Sequence, residues 1–134
     1  IESGDSVDYA GEVLTPDNRA NVNLMYAISD WDFSWRMRYW ASSVDSVENQ
    51  NYNFTDFTPL EEYNNFPSMI YHDLSAAYNF DENMRVSLVV RNAFDKQPPV
   101  ANQSSVNGGT GINTVSEAFD VTGRYFQASF TARF

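Results

Sequence analysis

Apolar residues recur along this chain with a period of two. From Arg19 to Ser29, Ala20, Val22, Leu24, Tyr26 and Ile28 share one face, opposite Asn21, Asn23, Met25 and Ala27. After Asp30-Trp31-Asp32, Phe33, Trp35, Met37 and Tyr39 alternate with Ser34, Arg36, Arg38 and Trp40. From Tyr71 to Phe80, His72, Leu74, Ala76, Tyr78 and Phe80 oppose Tyr71, Asp73, Ser75, Ala77 and Asn79. After Asp81-Glu82-Asn83, Met84, Val86, Leu88 and Val90 oppose Arg85, Ser87, Val89 and Arg91. Finally, residues 123–134 set Phe126, Ala128, Phe130, Ala132 and Phe134 against Tyr125, Gln127, Ser129, Thr131 and Arg133. Successive side chains of a strand point to opposite faces, so this alternation predicts five strands, each with one apolar and one polar face.

The connections alternate as well. Tight polar turns join the first strand to the second and the third to the fourth. Long segments, 44–69 and 95–122, make the other two joins. Connections above about 12–15 residues are uncommon in compact domains and are often functional. An antiparallel sheet joined this way gathers its short turns at one end and its long loops at the other. Outer-membrane barrels segregate them in the same manner, with short periplasmic turns and long outer loops.

Composition narrows the partners. The formal net charge of the 134 residues is −10, and Lys96 is the only lysine. Such a surface repels phosphate backbones, so nucleic acid is not an expected partner. Without cysteine there is no disulfide, thiolate metal site or cysteine nucleophile. No apolar run reaches the roughly 20 residues of a membrane helix, which leaves a barrel open because its signal per strand is weaker. No secretory signal or initiator Met opens the chain, and Ile1 reads as a mature or cut end.

The period does not say which face meets water. A soluble sandwich buries its apolar face, whereas a membrane barrel turns it outward. Three features favour the barrel. The strands are long enough for a tilted span of about 9–11 residues. Trp31, Phe33, Tyr39, Tyr78, Phe80, Phe126 and Phe134 lie near strand ends, where an interfacial aromatic girdle belongs. Lysine, the usual guard of soluble sheet edges, is nearly absent. The bases Arg36, Arg38, Arg85, Arg91 and Arg133 all fall on polar faces, and Arg124 alone falls on the apolar side.

Two motifs carry a family resemblance. Asn92-Ala93-Phe94-Asp95-Lys96-Gln97-Pro98-Pro99 resembles the signature that closes the penultimate strand of TonB-dependent outer-membrane receptors. Asp120-Val121-Thr122-Gly123-Arg124-Tyr125-Phe126 resembles the approach to their last strand, with Phe119 where tyrosine is commoner. Pro16-Asp17-Asn18-Arg19-Ala20-Asn21 and Tyr71-His72-Asp73-Leu74-Ser75 resemble earlier strand starts of the same family, the first with Asn18 in place of His or Lys. Phe126, Ala128, Phe130, Ala132 and the terminal Phe134 resemble the signal read by the barrel assembly machinery, a signal shared by many outer-membrane proteins.

The resemblance implies an all-β antiparallel transmembrane barrel of 22 strands around a plug, in the bacterial outer membrane. It implies active uptake of a scarce nutrient, such as a ferric siderophore, an oligosaccharide or a cobalamin-like ligand, powered through TonB. Partners would be outer-membrane lipid, the plug and upstream strands, and the assembly machinery. The plug and TonB box have no counterpart in these residues, and five strands would leave two open edges in lipid. The expectation is a C-terminal part of a longer receptor, spanning residues 1–134 and unable to transport alone.

Candidate ligand contacts are Arg36, Arg38, Trp40 and Arg91 on the lumen face and Tyr52 and Phe54 in the first long loop. The plainer roles are pairing with plug carboxylates for the arginines and loop packing for the aromatics. No cofactor or metal is expected: His72 is the only histidine and reads as a strand-end residue near the outer interface, and the acidic loops read as solvated rather than as Ca²⁺ ligands, since no D-x-D-x-D-G loop occurs. Asn107–Gly111 is glycine-rich but lacks the G-K-[ST] of a phosphate loop. The chain is not expected to be an enzyme, for it offers no nucleophile with a base. The alternatives are a soluble carbohydrate-binding β-sandwich and another outer-membrane barrel, a small porin or hydrolase.

Overall fold

The structure is a computed structural model and describes residues 9–45, 64–101 and 114–134. Tyr52, Phe54 and Asn107–Gly111 lie outside the described residues, as does most of the acidic loop sequence. Among the described residues the strands are β1 (Arg19–Ile28), β2 (Trp31–Trp40), β3 (Ser43–Val44), β4 (Asn65–Phe66), β5 (Met69–Asn79), β6 (Met84–Arg91) and β7 (Tyr125–Ala132). The described chain is all-β. Five strands form one antiparallel sheet in the order β1-β2-β5-β6-β7, and β3 pairs with β4 in a second, two-stranded sheet.

The register puts like with like across the large sheet. One row runs Leu24, Trp35, Leu74, Val90, Phe126; the next runs Tyr26, Phe33, Ala76, Leu88, Ala128; a third runs Ile28, Trp31, Tyr78, Val86, Phe130. A slip of one residue in any strand would turn its apolar set to the other face, so these rows fix the register. The opposite face carries rows such as Met25, Ser34, Ser75, Val89, Gln127 and Ala27, Asp32, Ala77, Ser87, Ser129. Cross-strand pairs there are hydrogen-bonded: Ser34 to Ser75 at 2.6 Å and Ser87 to Ser129 at 2.7 Å.

The apolar face is exposed. Tyr26, Leu24, Leu88, Phe126 and Phe130 stand free, Phe130 with 63% of its surface accessible. A β-sandwich would require Phe130 to be buried. Patches of this extent mark a surface that meets another apolar medium. At the short-turn end the face ends in an aromatic cluster: Trp31 stacks on Phe33 at 5.6 Å and meets Tyr78 at 4.9 Å, and Tyr78 meets Phe80 edge-on at 4.9 Å.

The turns differ in part from expectation. The first hairpin turns at Ser29-Asp30, not Asp30-Trp31-Asp32, because Ile28 pairs directly with Trp31 and Ser29 takes a left-handed φ of 52°. Asp32 is a ladder residue whose carboxylate accepts bonds from Arg85 at 2.8 Å and Asn79 at 3.2 Å. The second hairpin turns at 80–83, one residue wider than expected since β5 ends at Asn79 and not Phe80, with the Asp81 carboxylate accepting the N–H groups of Asn83 and Met84 at 2.7 and 2.8 Å, an Asx turn. β5 starts two residues earlier than its pattern predicts, and β7 stops at Ala132, before Arg133 and Phe134.

The chain divides into two compact units, the large sheet in one and, in the other, residues 1–18, 41–68 and 99–119. The described residues of the second unit include buried apolar side chains. Phe66 and Phe119 are buried and pack at 5.6 Å, and Val13, Ala41, Ala101 and Val115 of the same unit are buried as well. The N–H of Val13 bonds the Val44 carbonyl at 2.8 Å, and that of Asp45 bonds the Asn64 carbonyl at 2.8 Å. Asp45, expected in an acidic solvated loop, is fully buried. A two-residue strand has no period to detect, which is why β3 and β4 escape sequence reading.

Candidate functional site

Three of the predicted lumen residues sit together on the polar face of β2. Strand parity alone accomplishes this: Arg36, Arg38 and Trp40 are two residues apart, and β1 and β5 supply their neighbours. Arg38 Nη2 donates to Asp73 Oδ1 at 3.2 Å and to Asp120 Oδ2 at 3.4 Å, and its guanidinium lies 5.2 Å from the centre of the Tyr71 ring. One partner lies on β5 and the other in the segment that leads into β7. Arg36 is exposed and donates from Nε to Asn23 Oδ1 at 2.9 Å. Trp40 carries the Arg19 guanidinium over its ring at 5.0 Å. Arg91, at the end of β6 opposite Tyr125, is exposed and forms no ion pair among the described residues. Arg38 is paired through Nη2, while its buried Nε has no partner among the described residues, and Arg36 and Arg91 form no ion pair there.

The two family-like motifs meet. Asn92 is fully buried in a left-handed conformation, φ 47°. Its main-chain N–H bonds Asp73 Oδ1 at 3.0 Å. Its side chain spans the following turn, Nδ2 donating to the Lys96 carbonyl at 3.0 Å and Oδ1 accepting the Lys96 N–H at 2.8 Å. That turn presents Asp95, φ 53°, whose Oδ1 accepts the Arg124 N–H at 2.9 Å. Gly123 has φ 71°, and a Cβ there would stand 3.1 Å from the same oxygen. Glycine is needed twice over, for its backbone angle and for the close approach of Asp95. Asp120 completes the clasp. Its Oδ1 accepts the Thr122 N–H at 3.1 Å, its own N–H bonds the Tyr71 hydroxyl at 3.3 Å, and Oδ2 reaches Arg38.

Asp73 belongs to the strand start Tyr71–Ser75 that also resembles the family, but its partners are not legible there. It joins Arg38 to Asn92, so β2, β5 and the end of β6 share one carboxylate. Phe94, another motif residue, is 74% exposed and lies edge-on to His72 at 5.1 Å. Pro98 and Pro99 follow the turn at half-buried positions. His72 also stacks on Trp35 at 5.7 Å, and its Nδ1 accepts the indole N–H at 3.0 Å. Its row, between Leu74 and Ile70, belongs to the apolar face.

The comparisons agree with the fold. No family model matches the sequence, and no curated protein matches it. A solved structure described as copper transporter OprC is similar over 87% of this chain, with a TM-score of 0.51 at 21% identity. The chain spans 17% of the length of that structure. At this identity the likeness is one of fold: a five-stranded antiparallel sheet that superposes on part of a much larger protein.

Proposed function

We propose that the chain is the C-terminal barrel segment of a TonB-dependent outer-membrane receptor that takes up a scarce nutrient. The observation that carries this reading is the clasp of Asp95 on Gly123 and Arg124, which gives the two receptor-like motifs a shared physical purpose. It anchors the last long connection at both of its ends. The exposed rows of the large sheet support a lipid-facing surface, and the similarity to a transporter structure supports a barrel context. β1 and β7 each have one neighbour in the sheet order. In lipid such edges must be paired, so upstream strands of the same receptor would flank them. On this reading Arg36 and Arg91 face the lumen and meet an anionic or hydroxyl-rich ligand. Phe126 to Phe134 serve the assembly machinery, and energy comes through TonB bound upstream of these residues. The copper of the similar structure is not carried over, because that likeness is of fold.

The test is made on the full-length coding sequence. Outer-membrane fractions should contain the protein, and uptake of its nutrient should require TonB. Recovery in the soluble fraction as a folded monomer would refute the reading. Deletion of Phe134 should lower the amount inserted while synthesis is unchanged; unaltered insertion would remove the assembly role of that residue.

A further inference from the structure

Arg124 is the exception in an otherwise consistent partition of charge. The sheet's other strand-borne arginines lie on the polar face. Arg124 precedes β7 in phase with Phe126, Ala128 and Phe130, and its guanidinium rests 6.0 Å from the centre of the Phe126 ring. Its backbone is pinned by the bond to Asp95 at 2.9 Å, so this placement is held from the main chain. The side chain is exposed and forms no ion pair among the described residues. A cation at the boundary of an apolar surface is stable when its stem lies on that surface and its head reaches an anionic layer.

A groove lies on the same face. It has a volume of about 450 Å³ and is lined by Leu24, Phe33, Trp35, Leu74, Leu88 and Val90, among others. Ala76, a small residue between Phe33 and Leu88 in their row, also lines it. The groove and the cation are continuous, since Val90 lines the groove and pairs with Phe126, on which Arg124 rests. His72 stands one row beyond Leu74 toward the same rim. With Nδ1 accepting from Trp35 at 3.0 Å, a neutral ring carries its proton on Nε2.

We infer that Arg124 and the groove form a binding site for one phosphate-bearing lipid. The headgroup phosphate pairs with the guanidinium, and an acyl chain lies in the groove over Ala76. The inference rests on the reading of the apolar face as lipid-facing. It commits to a lipid, not to free phosphate, because the groove beside the cation is apolar and suits a hydrocarbon chain.

The experiment uses full-length protein purified in detergent and native mass spectrometry with dioleoyl phosphatidic acid, dioleoylglycerol and inorganic phosphate. The wild type should retain phosphatidic acid at least fivefold more tightly than dioleoylglycerol. Arg124→Gln, which keeps the backbone N–H held by Asp95, should lower that retention about fivefold. Arg124→Lys should keep most of it, and Ala76→Phe should weaken both lipids by filling the groove. Inorganic phosphate should not displace the lipid. Equal retention by Arg124→Gln, dioleoylglycerol held as tightly as phosphatidic acid, or displacement by inorganic phosphate would each overturn the inference. A protein that purifies from the outer membrane yet shows any of these results leaves the proposed function standing. A protein absent from that membrane fails the proposed function itself.

Discussion

The two faces of the large sheet solve different problems with the same backbone. On the polar face the side chains find partners within the sheet. Serine meets serine across β2–β5 and β6–β7, Arg85 meets Asp32, and Arg38 meets Asp73. On the apolar face Leu24, Tyr26, Leu88 and Phe130 line up in rows whose surfaces stay open. The difference teaches that the first face pairs most of its polar groups within the sheet, while the second leaves its apolar side chains uncovered. In water each exposed apolar side chain forgoes about 1.5–3 kcal/mol of burial, too much for a sheet built this regularly to leave open to water.

Substitutions that exchange the character of the two faces should expose this asymmetry most strongly. Leu88→Lys, in the middle of the apolar rows, should cost about 2–4 kcal/mol if the face lies in a bilayer. Ser87→Lys, its neighbour on the polar face, should cost under about 1 kcal/mol. The folded fraction of full-length protein refolded into lipid vesicles measures both. Equal costs would erase the distinction between the faces.

Next in size is the clasp. Gly123→Ala forces a left-handed alanine whose Cβ meets the Asp95 carboxylate at 3.1 Å, a cost of about 1–3 kcal/mol. Asp95→Ala removes the acceptor of the Arg124 N–H and should cost about 1–2 kcal/mol. Either change should make the last long connection more sensitive to protease while β1 and β2 remain protected. Arg38→Met should follow at about 1 kcal/mol, since its side chain is 35% exposed and its two ion pairs are partly screened. The smallest effect should come from Arg85→Gln. Both side chains of that pair are well exposed, 48% and 41%, so the loss should be a few tenths of a kcal/mol and should shrink in high salt.

Much of the sheet could be read from the chain because period two is a long-range regularity. Each of the five strands announces its two faces through residues such as Leu24 against Asn23 or Leu88 against Ser87. The start of β2 could not. Asp30 and Asp32 both look like turn residues, and only the pairing of Asp32 with Ala27 and Ala77 puts it in the ladder. The burial of Asp45 was hidden for a similar reason, since an aspartate in an acidic stretch reads as solvated until its backbone partner at Asn64 is known. The motif residues Asn92, Asp95, Gly123 and Arg124 were visible as a pattern. Their contact was not, because 29 residues separate Asp95 from Arg124. Arg38 falls on the polar face that its parity predicts, but its partners Asp73 and Asp120 come from two other segments and could not be read from the chain.

The central claim is that the even-numbered face of β6 and β7 meets lipid. These 134 residues contain no cysteine, so single cysteines can report it once any cysteine elsewhere in the full-length protein is replaced. Leu88→Cys and Ala128→Cys, compared with Ser87→Cys and Ser129→Cys in full-length protein in outer membranes, would be treated with a water-soluble maleimide and, separately, with a lipid-borne quencher after fluorescent labelling. The account predicts that positions 88 and 128 resist the maleimide and are quenched from the lipid, while 87 and 129 react with the maleimide and escape the quencher. Equal reactivity at all four positions, or the opposite pattern, would contradict it.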